Sequence, residues 1–155
     1  MKRFAAPLLL VAVACATIPD KPEHEGAPLL MSLERTGCPL GGCPSYLLEL
    51  RTDGWLRYQG RKDVTVLGWK NAQLSAAEVQ SVKEAFAAAG FYELEDTFQC
   101  IEKTDAPTVT LSYHLDERHK TLVHFHGCTS APLVEKVTLL EDEIDKLVGS
   151  SQWVK

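Results

Sequence analysis

Five cysteines are the residues best able to do chemistry in this chain of 155: Cys15, Cys38, Cys43, Cys100 and Cys128. Cys38 and Cys43 lack the Cys-x-x-Cys spacing of thioredoxin-like redox work. No second closely spaced couple completes a zinc ribbon. An exported protein uses an even set of cysteines for disulfides. With Cys15 engaged elsewhere, four remain, and three pairings are open. The pairing Cys38–Cys43 with Cys100–Cys128 is favoured. Pro39, Gly41 and Gly42 let the chain reverse within the first ring, and Cys100 can return to Cys128 along a loop. Loop-closure entropy gives about 2 kcal/mol for the small ring and about 3.5 kcal/mol for the larger.

The run His124-Phe125-His126-Gly127-Cys128 is the next constellation. Alternation puts His124 and His126 on one strand face, where both could ligate one ion. Two ligands fall short of the three that a zinc site normally takes. The expectation is therefore surface histidines, weak metal candidates on the outer face with Thr108 and Thr110. Glu141-Asp142-Glu143 reads as a solvated helix face rather than an acid/base pair. Arg35, beside the Cys38 loop, reads as a surface salt-bridge partner. Trp55, Trp69 and Trp153 read as core or chain-end packing. There is no Gly-rich phosphate loop and no Gly-x-Ser-x-Gly elbow. The expectation is a protein that is not an enzyme and needs no cofactor.

Cys15 gains its meaning from position. Lys2 and Arg3 precede an uncharged run over residues 4–14, too short to span a bilayer at roughly 20 residues. The run fits the apolar part of a secretory signal. It ends Ala12-Val13-Ala14-Cys15, which resembles a bacterial lipobox, although Ala12 stands where Leu is more usual. Ordinary cleavage after small residues is the competing reading. Residues 1–14 are expected to be a lipoprotein signal, with Cys15 as the lipidated residue. Residues 15–28, with Pro19, Pro22 and Pro28, form a tether, and its stretch 16–28 reaches at most roughly 40 Å. By resemblance to Gram-negative lipoproteins, Ala16 in place of Asp implies the outer membrane, facing the periplasm. Otherwise the protein would be secreted or periplasmic.

Composition narrows the partners. The chain is 45% hydrophobic and 24% charged, with a net charge of −5 that becomes −7 once Lys2 and Arg3 are removed. Nucleic acid is excluded as a natural partner. Anionic lipid headgroups are no attraction either, so membrane association must come from acyl chains. An unknown envelope protein is the remaining partner class.

Residues 29–155 must then supply one domain. Residues 29–33 read as a first strand. Residues 45–51 and 55–60 flank Thr52-Asp53-Gly54. A three-residue loop with Gly54 left-handed sets Leu50 opposite Leu56, Leu48 opposite Tyr58 and Glu49 opposite Arg57. Residues 64–69 read as the next strand. Ser75-Ala76-Ala77-Glu78 is a capping-box start for a helix with Val79, Val82, Phe86 and Ala89 on one stripe and Gly90 as its stop. Residues 108–113 and 121–125 form a hairpin. An odd-length loop there aligns Val109, Leu111 and Tyr113 with Phe125, Val123 and Thr121, and leaves His114 opposite Lys120. A last helix begins near Pro132, with a stripe of Val137, Leu140, Ile144 and Leu147 or Val148. The expected class is α+β: an antiparallel sheet of meander plus hairpin, covered on one face by two helices.

The run Leu33-Glu34-Arg35-Thr36-Gly37-Cys38, followed by Gly42-Cys43-Pro44-Ser45-Tyr46, carries a resemblance. So do Asp53-Gly54, Tyr58-Gln59-Gly60, Ala89-Gly90-Phe91-Tyr92, Thr104-Asp105-Ala106-Pro107-Thr108 and Trp153-Val154. Over residues 30–154 the chain resembles a bacterial lipoprotein family catalogued as domain of unknown function 6438. That family reads R-T-x-C-x4-C-P-x-Y, then a D-G turn, then Y-x-G, and the resemblance implies no particular activity. The order strands, helix, hairpin, helix is also similar to emfourin-type inhibitors of thermolysin-like metalloproteases, which lack this cysteine loop. The expected function is a lipid-anchored binding or scaffolding domain. The alternatives are an emfourin-like protease inhibitor and a small metal-binding protein or enzyme.

Overall fold

The computed structural model describes residue 24 and residues 26–98, 104–128 and 132–155. Its strands are β1 (Leu29–Arg35), β2 (Ser45–Arg51), β3 (Trp55–Lys62), β4 (Gly68–Gln73), β5 (Thr97–Phe98), β6 (Thr108–Leu115) and β7 (Arg118–Phe125). Its helices are α1 (Ala76–Ala88), α2 (Pro132–Leu147) and the short α3 (Ser151–Val154). The strands form one sheet in the order β4-β3-β2-β1-β6-β7-β5. The α+β class therefore holds, but the sheet is mixed. β5 runs parallel to β7, pairing Thr97 with Val123 and Phe98 with His124. A two-residue strand carries no period of its own, which is why sequence patterning does not reveal it.

The β2–β3 hairpin has the expected register. Leu50 faces Leu56, Leu48 faces Tyr58 and Glu49 faces Arg57. Gly54, at φ 88°, supplies the left-handed turn residue. Two further expectations fail. The strand expected at 64–69 starts instead at Gly68, because Asp63 turns left-handed at φ 53° and bows the chain outward. Val66 then hydrogen-bonds from its N–H to the Trp153 carbonyl. The second failure is the β6–β7 register. The structure pairs Val109 with His124, Leu111 with Leu122, Tyr113 with Lys120 and His114 with His119, one residue away from the odd-loop alignment. Asp116 adopts φ 55°, and Leu115 pairs with Arg118 across a two-residue turn. Asp tolerates that conformation through its short polar side chain. The slip exchanges the two faces of β7.

Directly paired residues share a face, so the inner face can be read across the sheet. One transverse row is Leu50, Met31 and Tyr113; another is Tyr46, Arg35, Val109 and His124. α1 covers the first row. Its start is a true capping box: the Ser75 side chain accepts from the Glu78 N–H, and Glu78 accepts from the Ser75 N–H at 2.7 Å. Val79, Val82 and Phe86 are buried, and Phe86 stacks on Tyr113 at 4.0 Å between ring centroids. Burying a side chain of that size stabilises the fold by roughly 1.5–3 kcal/mol. α2 lies over the second row. Trp153 of α3 stacks on Tyr58 at 4.8 Å, so this tryptophan closes the core under the chain end.

The outer face is polar but ordered. Arg57 is 5% exposed, donates to Glu49 at 2.7 Å, and lies over the rings of Trp55 and Trp69 at 5.7 and 5.2 Å. His24 stacks on Trp55 at 4.8 Å and shares a 2.6 Å hydrogen bond with Asp53. The incoming chain is thus pinned to the tip of the β2–β3 hairpin. Among the described residues, no helix is long and apolar enough to cross a membrane.

Candidate functional site: a buried His–Glu–His cluster

The second inner row places Tyr46 on β2, Arg35 on β1 and His124 on β7 under one face of α2. Glu141 and Asp145 stand one helical turn apart on that face and meet the row. Glu141 takes the histidine end. Its Oε1 lies 2.9 Å from His124 Nδ1, and its Oε2 lies 2.6 Å from His126 Nε2. Asp145 takes the other end, accepting from Arg35 Nε at 2.9 Å and from the Tyr46 hydroxyl at 2.8 Å. Arg35 joins the halves, with Nη1 at 3.8 Å from Glu141. His126 sits just beyond β7, its N–H donating to the Pro107 carbonyl at 3.0 Å, and turns its ring back to 4.3 Å from that of His124.

These positions correct three expectations. His124 is 1% exposed and lies on the inner face, not the outer one. Glu141 is fully buried, whereas its neighbour Asp142 is largely solvated. Arg35 is a mostly buried junction rather than a surface partner. The sequence carried one signal for Glu141: it lies four residues after Val137 and three before Ile144, within the apolar stripe of α2. A lone carboxylate in such a stripe requires a partner. Asp145 and Tyr46 carried no comparable mark.

Electrostatics follow from burial and partners. Burial raises the pKa of Glu141, but the hydrogen bonds from His124 and His126 outweigh it, so the carboxyl stays below its usual range. For Arg35 burial acts downward, and Asp145, Tyr46 and Glu141 reverse it to a net rise. The Tyr46 phenol is pushed up by burial first and by the Asp145 charge second, against Arg35. Burial also raises Tyr58 and Tyr113. An alkaline titration followed by tyrosinate absorbance should therefore leave these three phenols protonated past the ordinary value of about 10. Tyr46→Phe should remove one late step. A raised folded pKa contributes stability that is complete below the unfolded value and is lost as pH rises through the folded one. Simultaneous titration of all four tyrosines near pH 10 would show an open network.

Two depressions flank the chain of charges. One, of about 340 Å³, is lined by His124, His126, Cys128, Val134 and Thr138. The other, of about 660 Å³, is bounded by Arg35, Cys43, Pro44, Tyr46, Asp145 and Lys146. Several residues of the R-T-x-C-x4-C-P-x-Y run thus meet at the second cleft. Cys38 and Cys43 are joined in a disulfide with their Cα atoms 5.2 Å apart. Cys128 is also disulfide-bonded. Its expected partner Cys100, and the expected lipidation site Cys15, lie outside the described residues. His114 and His119 form a separate ring pair at 6.1 Å. His124, His126 and Glu141 each offer one ligand atom, all within 4.8 Å of one another.

Fold and site together define a disulfide-stapled α+β domain with a buried polar row at one end of its sheet. The family described as Domain of unknown function (DUF6438) matches residues 29–148, and the chain belongs to it. No curated protein matches the chain.

Proposed function

We infer that this is an exported domain anchored through lipid on Cys15, held at the outer membrane on its periplasmic side, and acting by binding an envelope protein rather than by catalysis. The cysteine distribution carries the reading. A bonded Cys38–Cys43 ring and a bonded Cys128 suit an oxidising compartment. Cys15 sits apart from them, after a charged and apolar leader. The cleft beside the Cys38–Cys43 loop is the candidate binding surface. It gathers Arg35, Pro44 and Tyr46 with both charge signs, and Leu40, 86% exposed, stands on the same loop. With His24 stacked on Trp55, eight residues, 16–23, lie between Cys15 and the first described contact, a span of at most roughly 28 Å. The partner must therefore lie close to the membrane surface.

Fractionation tests the anchor. Native protein should pellet with outer membranes, and Cys15→Ala should move to the soluble fraction with its unfolding midpoint unchanged. Equal pelleting of both would remove the anchor. Cross-linking in intact envelopes, followed by co-purification, should recover one dominant partner whose yield falls in a Leu40→Asp variant.

A further inference from the structure

We propose that His124, His126 and Glu141 form a binding site for one divalent transition-metal ion of the zinc class. Two imidazoles and a carboxylate are a donor set that suits Zn²⁺ and its neighbours rather than Ca²⁺ or Mg²⁺, which prefer oxygen throughout. The three ligand atoms come from a strand, the turn after it and the facing helix, and they already converge to within 4.8 Å. A tetrahedral zinc centre, with bonds of about 2.0–2.2 Å, needs ligand atoms about 3.3 Å apart. The hydrogen-bonded pairs at 2.9 and 2.6 Å are closer than this, and the widest pair must close by about 1.5 Å. His126, at 21% exposure beyond the end of β7, has the freedom to supply that movement.

One further observation, the local charge, points to a missing cation. Arg35 is set against Glu141, Asp142 and Asp145 at 3.8, 3.5 and 2.8 Å, which leaves these four groups with a net charge of −2. Lys146 pairs with Glu143 instead. A divalent cation balances that charge. The 340 Å³ depression lined by both histidines leaves room for a water in the remaining coordination position.

The proposal stands independently of the anchor and of the protein partner. The test uses the full chain purified without a histidine tag, stripped with chelator and titrated with zinc chloride by calorimetry. One ion per chain is expected, and cobalt substitution should give the visible absorption of a tetrahedral centre. His126→Ala should weaken zinc at least tenfold and abolish the cobalt band while the protein stays folded. Glu141→Gln should do the same. His119→Ala, in the separate histidine pair, should change neither. No zinc uptake, uptake unaltered in His126→Ala, or loss of uptake in His119→Ala would each overturn the assignment.

Discussion

Glu141→Ala is expected to destabilise the domain by about 3–5 kcal/mol, measured with chelator present. The carboxylate is fully buried and accepts from two imidazoles while facing Arg35. Its removal leaves His124, 1% exposed, with neither ring nitrogen paired. It also leaves Arg35 with the partly buried Asp145 as its closest remaining partner. Breaking one member of a buried charged set costs far more than replacing the whole set by apolar groups. Hence His124→Leu combined with Glu141→Leu should lose less than the two single changes summed. Denaturant midpoints at constant slope provide the comparison. A cost below about 1 kcal/mol for Glu141→Ala would mean that water reaches the carboxylate.

Gly60→Ala should cost about 3 kcal/mol and lower Tm by about 10 °C. A Cβ on Gly60 would stand 2.0 Å from the Val66 carbonyl oxygen and 2.6 Å from the Tyr58 hydroxyl. The first of these is backbone and cannot rotate away. That same oxygen accepts from Tyr58 at 3.1 Å, and the Val66 N–H donates to Trp153. The added methyl group therefore pushes apart the strap that holds the C-terminal helix on the core. Gly42→Ala is the contrast. Nothing lies within 4 Å of its Cβ position, so only the left-handed backbone at φ +83° resists, at about 1 kcal/mol. Equal losses in the two variants would refute the clash.

The difference between the two hairpins shows what the sequence could and could not convey. Thr52-Asp53-Gly54 names its own loop length, because Gly54 marks the left-handed position and Leu48, Leu50, Leu56 and Tyr58 agree on one face. The β6–β7 turn contains no glycine. Both faces of β7 offer apolar residues: Leu122 with His124, or Val123 with Phe125. By hydrophobicity alone the second pair belongs inside. The deciding fact is Glu141, which makes His124 acceptable in the interior and lies on a helix that pairing rules within the hairpin never consult. The sequence offered the site as a pair of histidines read as surface residues and a carboxylate read as part of a solvated face, although Glu141 stands within the apolar stripe. Only the packing of α2 across the sheet joined them. Helix limits were easier to read, because Ser75, Glu78 and Gly90 act through the nearest backbone groups.

The two ends of the sheet have a consequence for crowding. β5, the outermost strand on one side, pairs through Thr97 and Phe98 among the described residues. β4, the outermost on the other, exposes Lys70 and Asn71 along its length and begins at Gly68, φ +80°. A lysine-bearing edge is one way sheet proteins avoid zipping together into cross-strand polymers, so the β4 side of this domain resists strand-to-strand pairing even where many copies crowd together.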